Sequence, residues 1–432
     1  MTIDTDIQTL SKLDWVLKNR YAPQVRYMMK NADPMTKFIN DADFKMNAGA
    51  SMKIPLTYAP DGSIVVGDLT ADTWADSGRS YGKSLDIEPG DLSEVHGSLK
   101  LELKSRETLR MGGTTVGDQI KQQMIQQGQD LKRKAAMLTM MPAKGKIGSM
   151  SANASLDQGY ITLDSSNLPH LLAPGMIVCG GSDSSGECPT IDWTFTIGHV
   201  DHKNRRLYWA ATPTSSAATP ITITTSASLA SADGVWLYDT ANRDEVAGMY
   251  SVPSWMNETF TNYNVTRTDQ SWRFFGCVAD SGGSNTITLS DLETALINHN
   301  TQTGILPDLG LVSPTVFQTI AKLEDDKMRL NLDPQEKPDF IMGYNRIWVM
   351  AGVGQVPLLV DPNFYNDRVY FLRRKDWYRV ILRDFAPEPK TRDGSIFYLD
   401  DDYAFIKARA WASWNYLCLD PAAQKSLTGI TA

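Results

Sequence analysis

Residues 95–141 read VHGSLKLELKSRETLRMGGTTVGDQIKQQMIQQGQDLKRKAAMLTMM, and the organisation of the chain rests on them. Leu99, Leu101 and Leu103 alternate with Ser98, Lys100, Glu102 and Lys104. That period of two predicts a strand with one apolar face. Gly112-Gly113 breaks the pattern, and Thr114 or Thr115 can cap a helix starting there. Val116, Ile120, Met124, Leu131, Ala135 and Leu138 then recur at spacings of three, four and seven. They draw one stripe along a helix that reaches nearly to Pro142. At a rise of roughly 1.5 Å per residue such a helix is about 40 Å long.

Its opposite face is crowded with amides: Gln119, Gln122, Gln123, Gln126, Gln127 and Gln129. A solvated helix face more often carries Glu and Lys pairs. Amides can hydrogen-bond at a contact without the desolvation cost of a charge. Beside the reading as plain polar surface, this pattern suggests a face lying against another chain.

A chain of 432 residues exceeds one ordinary core and predicts two or three domains. Its composition, 42% hydrophobic and 21% charged, is that of a globular protein. No apolar run is long enough to span a membrane, and the first residues lack the apolar core of a signal peptide, so neither membrane insertion nor secretion by that route is expected. The net charge of −8 argues against a dedicated nucleic-acid binder, though not against a container that must not stick to its contents. Cys179, Cys188, Cys277 and Cys418 are scattered, which predicts reduced thiols rather than a disulfide framework.

Taken in order, the chain opens with a short amphipathic helix, Ile7, Leu10, Leu13, Leu17 and Tyr21 on one face. A lone helix of that length must dock on something. From Ser51 to Gly90, strand-like pieces (Met52 to Tyr58, Ser63 to Val66) alternate with Gly, Asp and Ser. With a return strand at Val95 to Lys104, this predicts a hairpin-like arm too poor in apolar residues to make a core, and therefore lying on another subunit. Lys144 to Asp239 switches to period two, with strands expected at Tyr160–Leu163, Met176–Val178, Trp193–Val200, Arg206–Trp209, Ile221–Thr225 and Val235–Tyr238 and a turn at Asp201 to Asn204. Ser290-Asp291-Leu292-Glu293 reads as a capping box for a helix that Gly304 ends, and Ser313-Pro314 as a second helix start. Phe317, Ile320, Ala321 and Leu323 are the second helix's buried stripe. Strands come next at Ile347–Ala351, Val356–Val360, Val369–Leu372 and Tyr378–Leu382, the pattern of a compact α/β layer. The stretch Ile396 to Leu419 is strand-rich, with Phe405, Lys407, Arg409 and Trp411 on one face.

The residues offer little chemistry. Gly78 to Ser84 is one residue short of a phosphate-binding loop and lacks the flanking strand and helix, while Gly112 to Gly117 has Asp118 where Lys is needed. Cys179, Cys188, His199 and His202 match no common zinc spacing, and Asp400-Asp401-Asp402 reads as an acidic turn. No Gly-x-Ser-x-Gly elbow or Ser/His/Asp set is present, and five histidines leave little for acid–base work. No catalytic residue, cofactor or metal is expected.

The order of parts resembles the major capsid proteins of tailed bacteriophages, which share the Hong Kong 97-type fold. The residues that carry the resemblance are the arm and spine helix above and the strand Tyr403-Ala404-Phe405-Ile406-Lys407-Ala408-Arg409-Ala410-Trp411 running into Leu417-Cys418-Leu419-Asp420-Pro421. Asn264 to Asp269 with Trp272, Leu289 to Leu292, and Pro307-Asp308-Leu309 leading to Ser313 are also reminiscent. The resemblance implies an α+β fold with an N-terminal arm at 1–50, an extended loop at 51–110, the spine helix of a peripheral domain at 111–143 and an inserted β-domain at 144–239. It further implies peripheral domain at 240–303, an axial domain at 304–384, and a peripheral-domain strand with the C-terminal tail at 385–432. The implied function is structural: self-assembly into pentamers and hexamers of an icosahedral virion head around double-stranded DNA, held by non-specific proximity. The implied partners are the chain itself, portal, scaffold and cement or decoration proteins, with assembly in the bacterial host cytoplasm and no membrane. On this reading Gln122, Gln126 and Gln129 face a neighbour or the particle interior, and the spine stripe packs on the tail around Phe405 and Trp411. The alternatives are an encapsulin-like cellular nanocompartment shell and a β-rich carbohydrate-binding protein or hydrolase with Trp193, Trp209 and Trp236 as a sugar platform. Fold analogy alone does not prove function.

Overall fold

The structure, a computed structural model, describes residues 39–45, 51–55, 84–88, 92–102, 129, 136, 138–140, 146–151, 154–155, 159–163, 172–182, 193–201, 204–210, 228–229, 233–238, 250–256, 261–262, 265–266, 279–281, 286–325, 347–352, 354–387, 397–399 and 405–430. Two compact units divide the chain. One is drawn from Met1–Ser51, Glu88–Thr139 and Arg379–Tyr416, the other from Met52–Ile87, Met140–Tyr378 and Leu417–Ala432. The expected N-terminal helix, the Gly78 to Lys83 and Gly112 to Gly117 segments, the Ile221–Thr225 strand and Asp400 to Asp402 lie outside the described residues.

The first unit is organised by a five-stranded sheet, the tail sheet, centred on the strand Phe405–Cys418. Ser93–Glu102 pairs antiparallel with it from Trp414↔Ser93 to Phe405↔Glu102. Ile406, Lys407 and Ala408 also pair with Leu399, Tyr398 and Phe397, so strands flank both edges. Trp377–Pro387 continues the sheet to Asn40–Lys45. Period two holds at Arg409, which is exposed, and then lapses: Ala412 to Cys418 are all buried. A strand covered on both faces loses its alternation. The strand expected at Val95 to Lys104 is therefore present, but as part of this sheet. The return strand of the preceding hairpin is Ser84–Ile87, which pairs with Met52–Pro55. The expectation that Val95 to Lys104 closes the arm is corrected, because its alternating leucines find a long partner strand in the tail.

Within the second unit, one six-stranded antiparallel sheet is built wholly from 146–238. Its order is Lys146–Ser149, Asp233–Tyr238, Ile177–Ser182, Trp193–Asp201, Arg206–Trp209, Tyr160–Thr162. Trp193, Phe195 and Ile197 are buried on one face, as the alternation predicts. The Trp193 and Phe195 rings stack with centroids 5.5 Å apart, and Trp209 meets Phe195 edge-on at 5.7 Å. Gly180 pairs with Trp193, and a Cβ there would lie 1.9 Å from the indole ring, so only glycine lets the ring cross the neighbouring strand. Asp201 closes the next turn by accepting from the Asn204 N–H (3.2 Å) and side-chain amide (2.6 Å), with Arg205 left-handed at φ 55°.

The other six-stranded sheet of this unit is mixed. Its order is Ala279–Ser281, Lys425–Thr428, Arg368–Leu372, Leu309–Val312, Gly354–Val360, Ile347–Ala351, with Leu309–Val312 parallel to Gly354–Val360. The helices Leu289–Thr303 and Pro314–Asp325 cover one face of it. Leu292, Ala295, Leu296, Val316 and Ile320 share a core there with Val312, Ile347, Val349, Val356, Leu358, Val369, Phe371 and Leu427. Gly304 ends the first helix in the left-handed region (φ 69°), and Ser313 Oγ accepts from the Val316 N–H at 3.2 Å to start the second. The capping box, expected at Ser290 and Glu293, forms two residues earlier. Thr288 Oγ1 accepts from the Asp291 N–H (3.2 Å), and Asp291 accepts from the Thr288 N–H (2.9 Å). The shorter Asp side chain fits the reciprocal bond as well as Glu does, and Leu292 and Leu296, four apart on the helix, are buried in the core it shares with the sheet.

Candidate assembly surfaces

Ile347-Trp348-Val349-Met350-Ala351 alternates in burial as in sequence. Ile347 (2% exposed) and Val349 (3%) face the helices, while Trp348 (48%) and Met350 (62%) stand in solvent. The strand ends the mixed sheet, and its outer edge pairs with no strand among the described residues. A tight turn brings its neighbour back, with Ala351 opposite Gly354, Met350 opposite Gln355 and Trp348 opposite Pro357. The result is an open edge of backbone donors and acceptors next to a large indole and a thioether. Folded chains usually blunt such edges with charge, proline or a covering element. With Ile297, Trp348 and Met350 are the large apolar side chains left exposed among the described residues. Sequence reading marked this strand but not its exposure, because sheet order is set by distant segments.

Of the residues expected to serve assembly, Gln122 and Gln126 lie outside the described residues, as do Ile120, Met124 and Leu131 of the spine stripe. Gln129 is helical and exposed, whereas Ala136, Leu138, Thr139 and Met140 are helical and buried. The described contact between the spine helix and the tail strand is a 2.8 Å hydrogen bond between the Thr139 and Tyr416 hydroxyls, both buried. Phe405 begins the tail strand opposite Glu102, and Trp411 lies opposite His96, half-buried, with the Arg383 guanidinium 4.4 Å over its ring.

A polar cluster that sequence reading missed fastens the C-terminal segment to the mixed sheet's unit. Arg373 forks onto the Asp376 carboxylate through Nε and Nη2, and Nη2 also reaches Asp420 at 2.9 Å. Gln424 sits in the middle. Its Oε1 accepts from the Arg373 N–H (2.7 Å) and Trp377 Nε1 (3.0 Å), and its Nε2 donates to Asp376 (3.1 Å) and the Asp420 carbonyl (3.2 Å). Burial pushes the Asp376 carboxyl up against the pull of Arg373. Nearby His299 is 1% exposed and pushed down to about 4, first by burial and then by the Lys425 charge. No local pattern joins residues 47 to 51 positions apart, so the sequence carries no signal for this cluster.

Among the described residues no three His, Cys, Asp or Glu side chains converge as metal ligands would, and no helix is long and apolar enough to cross a membrane. Cys179 is fully buried on its strand, while His199 is exposed, its ring tilted against Tyr208 at 5.7 Å; Cys188 and His202 lie outside the described residues. Trp193, one proposed member of a sugar platform, is 3% exposed inside the antiparallel sheet.

No protein-family model matches the chain, and no curated protein matches it by sequence. Solved structures do match. The cyanophage A-1(L) capsid asymmetric unit aligns with a TM-score of 0.51 at 10% identity, covering 92% of this chain and 93% of that one. A chain of Gordonia phage Cozz aligns at 0.41, with 11% identity over 92% and 85% of the two chains, and the capsid of an empty GTA particle at 0.40, with 10% identity over 93% and 91%. The cyanophage alignment runs nearly end to end on both chains. This chain has the fold of the phage capsid proteins, the Hong Kong 97-type layout that its order of parts resembles.

Proposed function

We propose that the chain is a structural, non-enzymatic major capsid protein. It assembles with its own copies, as pentamers and hexamers, into the icosahedral head of a tailed phage around double-stranded DNA. The observation that carries this reading is the shared fold over 92% of this chain and 93% of the cyanophage capsid protein. The open strand edge at Trp348 and Met350 supports it, since an exposed edge of this kind needs a partner.

In this reading the tail sheet and spine helix form the peripheral domain, and the mixed sheet with its helices forms the axial domain. The helix Leu289–Thr303 and the segment 417–430 go with the axial layer, because they share its core and its cluster around Gln424. The Met52–Pro55 and Ser84–Ile87 hairpin is the base of the extended loop. The antiparallel sheet of 146–238 is an inserted β-domain. Portal, scaffold and decoration proteins complete the set of partners. Light scattering on the purified protein tests the reading: megadalton particles are expected, and an oligomer of a few subunits under all assembly conditions would refute it.

A further inference from the structure

We propose that the basic end of the hairpin joining Trp193–Asp201 to Arg206–Trp209 is a contact between copies of this chain, and that its occupant is the acidic stretch 56–91 of a second copy. This rests on the self-assembly reading above. Between Trp193 and Ala232 the one acidic residue is Asp201, and its carboxylate is engaged in closing the turn on Asn204. The same span carries Lys203, Arg205 and Arg206. Arg205 is exposed and held left-handed by that turn (φ 55°). The Arg206 guanidinium lies 4.5 Å over the Tyr160 ring, and its Nε is buried with no hydrogen-bond partner among the described residues. Tyr160 meets Tyr208 at 5.2 Å, and Tyr208 meets His199 at 5.7 Å. Arg206 therefore lies on an aromatic floor, and Arg205 stands exposed beside it at the turn end of the hairpin.

Guanidinium forks match carboxylates in geometry as well as charge. The chain is short of cations overall, at net −8, so copies repel one another unless opposite charges meet locally. Its acid surplus is concentrated: residues 56–91 hold Asp61, Asp68, Asp72, Asp76, Asp86, Glu88 and Asp91 against only Arg79 and Lys83. The Met52–Pro55 and Ser84–Ile87 pairing brings together the two ends of 56–83, so that part, with Asp61, Asp68, Asp72 and Asp76, leaves and re-enters the fold at one place, while Asp86 lies on the return strand 3.7 Å from the Lys53 ammonium. It is too poor in apolar residues to form a core of its own, which favours a partner chain as its support. Duplex DNA is the weaker occupant, because three cations on a chain of net −8 neutralise few phosphates.

The test compares particle yield by sedimentation for wild type, Arg205→Glu, Arg205→Glu/Arg206→Glu, and the double variant with Asp72→Lys/Asp76→Lys added. Arg205 is exposed, so its single variant guards against misfolding. The expected result is unchanged subunit melting for Arg205→Glu, at least a tenfold loss of particles in the double variant, and partial recovery on adding the lysines. Wild-type yield from the double variant overturns the contact while leaving the self-assembly reading standing. A loss that the lysines do not relieve overturns the acidic stretch as occupant. Normal yield with less retained DNA assigns the hairpin to nucleic acid instead. A lowered subunit melting temperature for Arg205→Glu with normal assembly places the contact within one copy. If wild type forms no particles, the self-assembly reading fails first and this inference with it.

Discussion

His299 shows how a single buried side chain writes a pH dependence into the fold. Its imidazole is neutral in the folded chain down to about pH 4, because burial first, then Lys425 and Arg373, disfavour a second proton, against an opposing backbone hydrogen bond to Ala423. In the unfolded chain it protonates near its ordinary value of 6.5. The unfolded state therefore binds the proton first, and stability that is fully present above pH 6.5 is lost as pH falls towards 4. At roughly 1.4 kcal/mol per unit the loss is about 3 kcal/mol. Thermal melts of wild type and His299→Gln between about pH 7 and 4 check this: the variant is expected to show the smaller decline, and equal slopes would refute it. Gln424 poses a second test at this scale. Gln424→Leu orphans the Trp377 Nε1–H and the Arg373 N–H, each at a cost of about 1–3 kcal/mol, so chemical denaturation should show a loss well beyond that of a surface change.

The antiparallel sheet of 146–238 turns on the Gly180–Trp193 pair. A methyl group at Gly180 overlaps the indole, so Gly180→Ala should cost about 1–3 kcal/mol and shift the near-ultraviolet tryptophan signal, whereas Gly175→Ala, strained by its φ of 90° but with open space around its Cβ, should lower stability and leave that signal in place. On the edge strand Ile347–Ala351, Met350→Asp adds charge to a side chain already 62% exposed. Subunit melting should change by no more than about 0.5 kcal/mol in stability, while assembly fails because charge then faces the partner. Normal particles from that variant would show the edge to be free surface. The elements themselves were largely legible. Period two located Trp193–Asp201, Ile347–Ala351 and Arg368–Leu372 to within a residue or two, and Ser-Pro and Gly marked helix ends at 313–314 and 304. Lys146–Ser149 escaped notice because Ile147 is its one large apolar residue. The capping box was misplaced because Thr288-x-x-Asp291 and Ser290-x-x-Glu293 overlap, and local spacing cannot choose between them.

At the scale of the whole chain, what sequence could not supply is pairing across distance. Ser93–Glu102 has one apolar face in sequence, but its partner is more than 300 residues away, as Trp414↔Ser93 shows. The same holds for the cluster around Gln424 and for the position of Ile347–Ala351 at a sheet edge. The fold class was reachable because it rests on the order of arm, long helix, α/β layer and terminal strand rather than on any motif. The expected assembly residues Gln122 and Gln126 await a direct test, as does the extended loop: deleting Asp61 to Gly90 should spare subunit folding, read by circular dichroism, and stop assembly. One measurement bears most directly on the central claim. Electron micrographs of the purified protein should show closed icosahedral shells whose facets are tiled by pentamers and hexamers of this chain. Discrete small oligomers in every field, with no shell or partial shell, would contradict it.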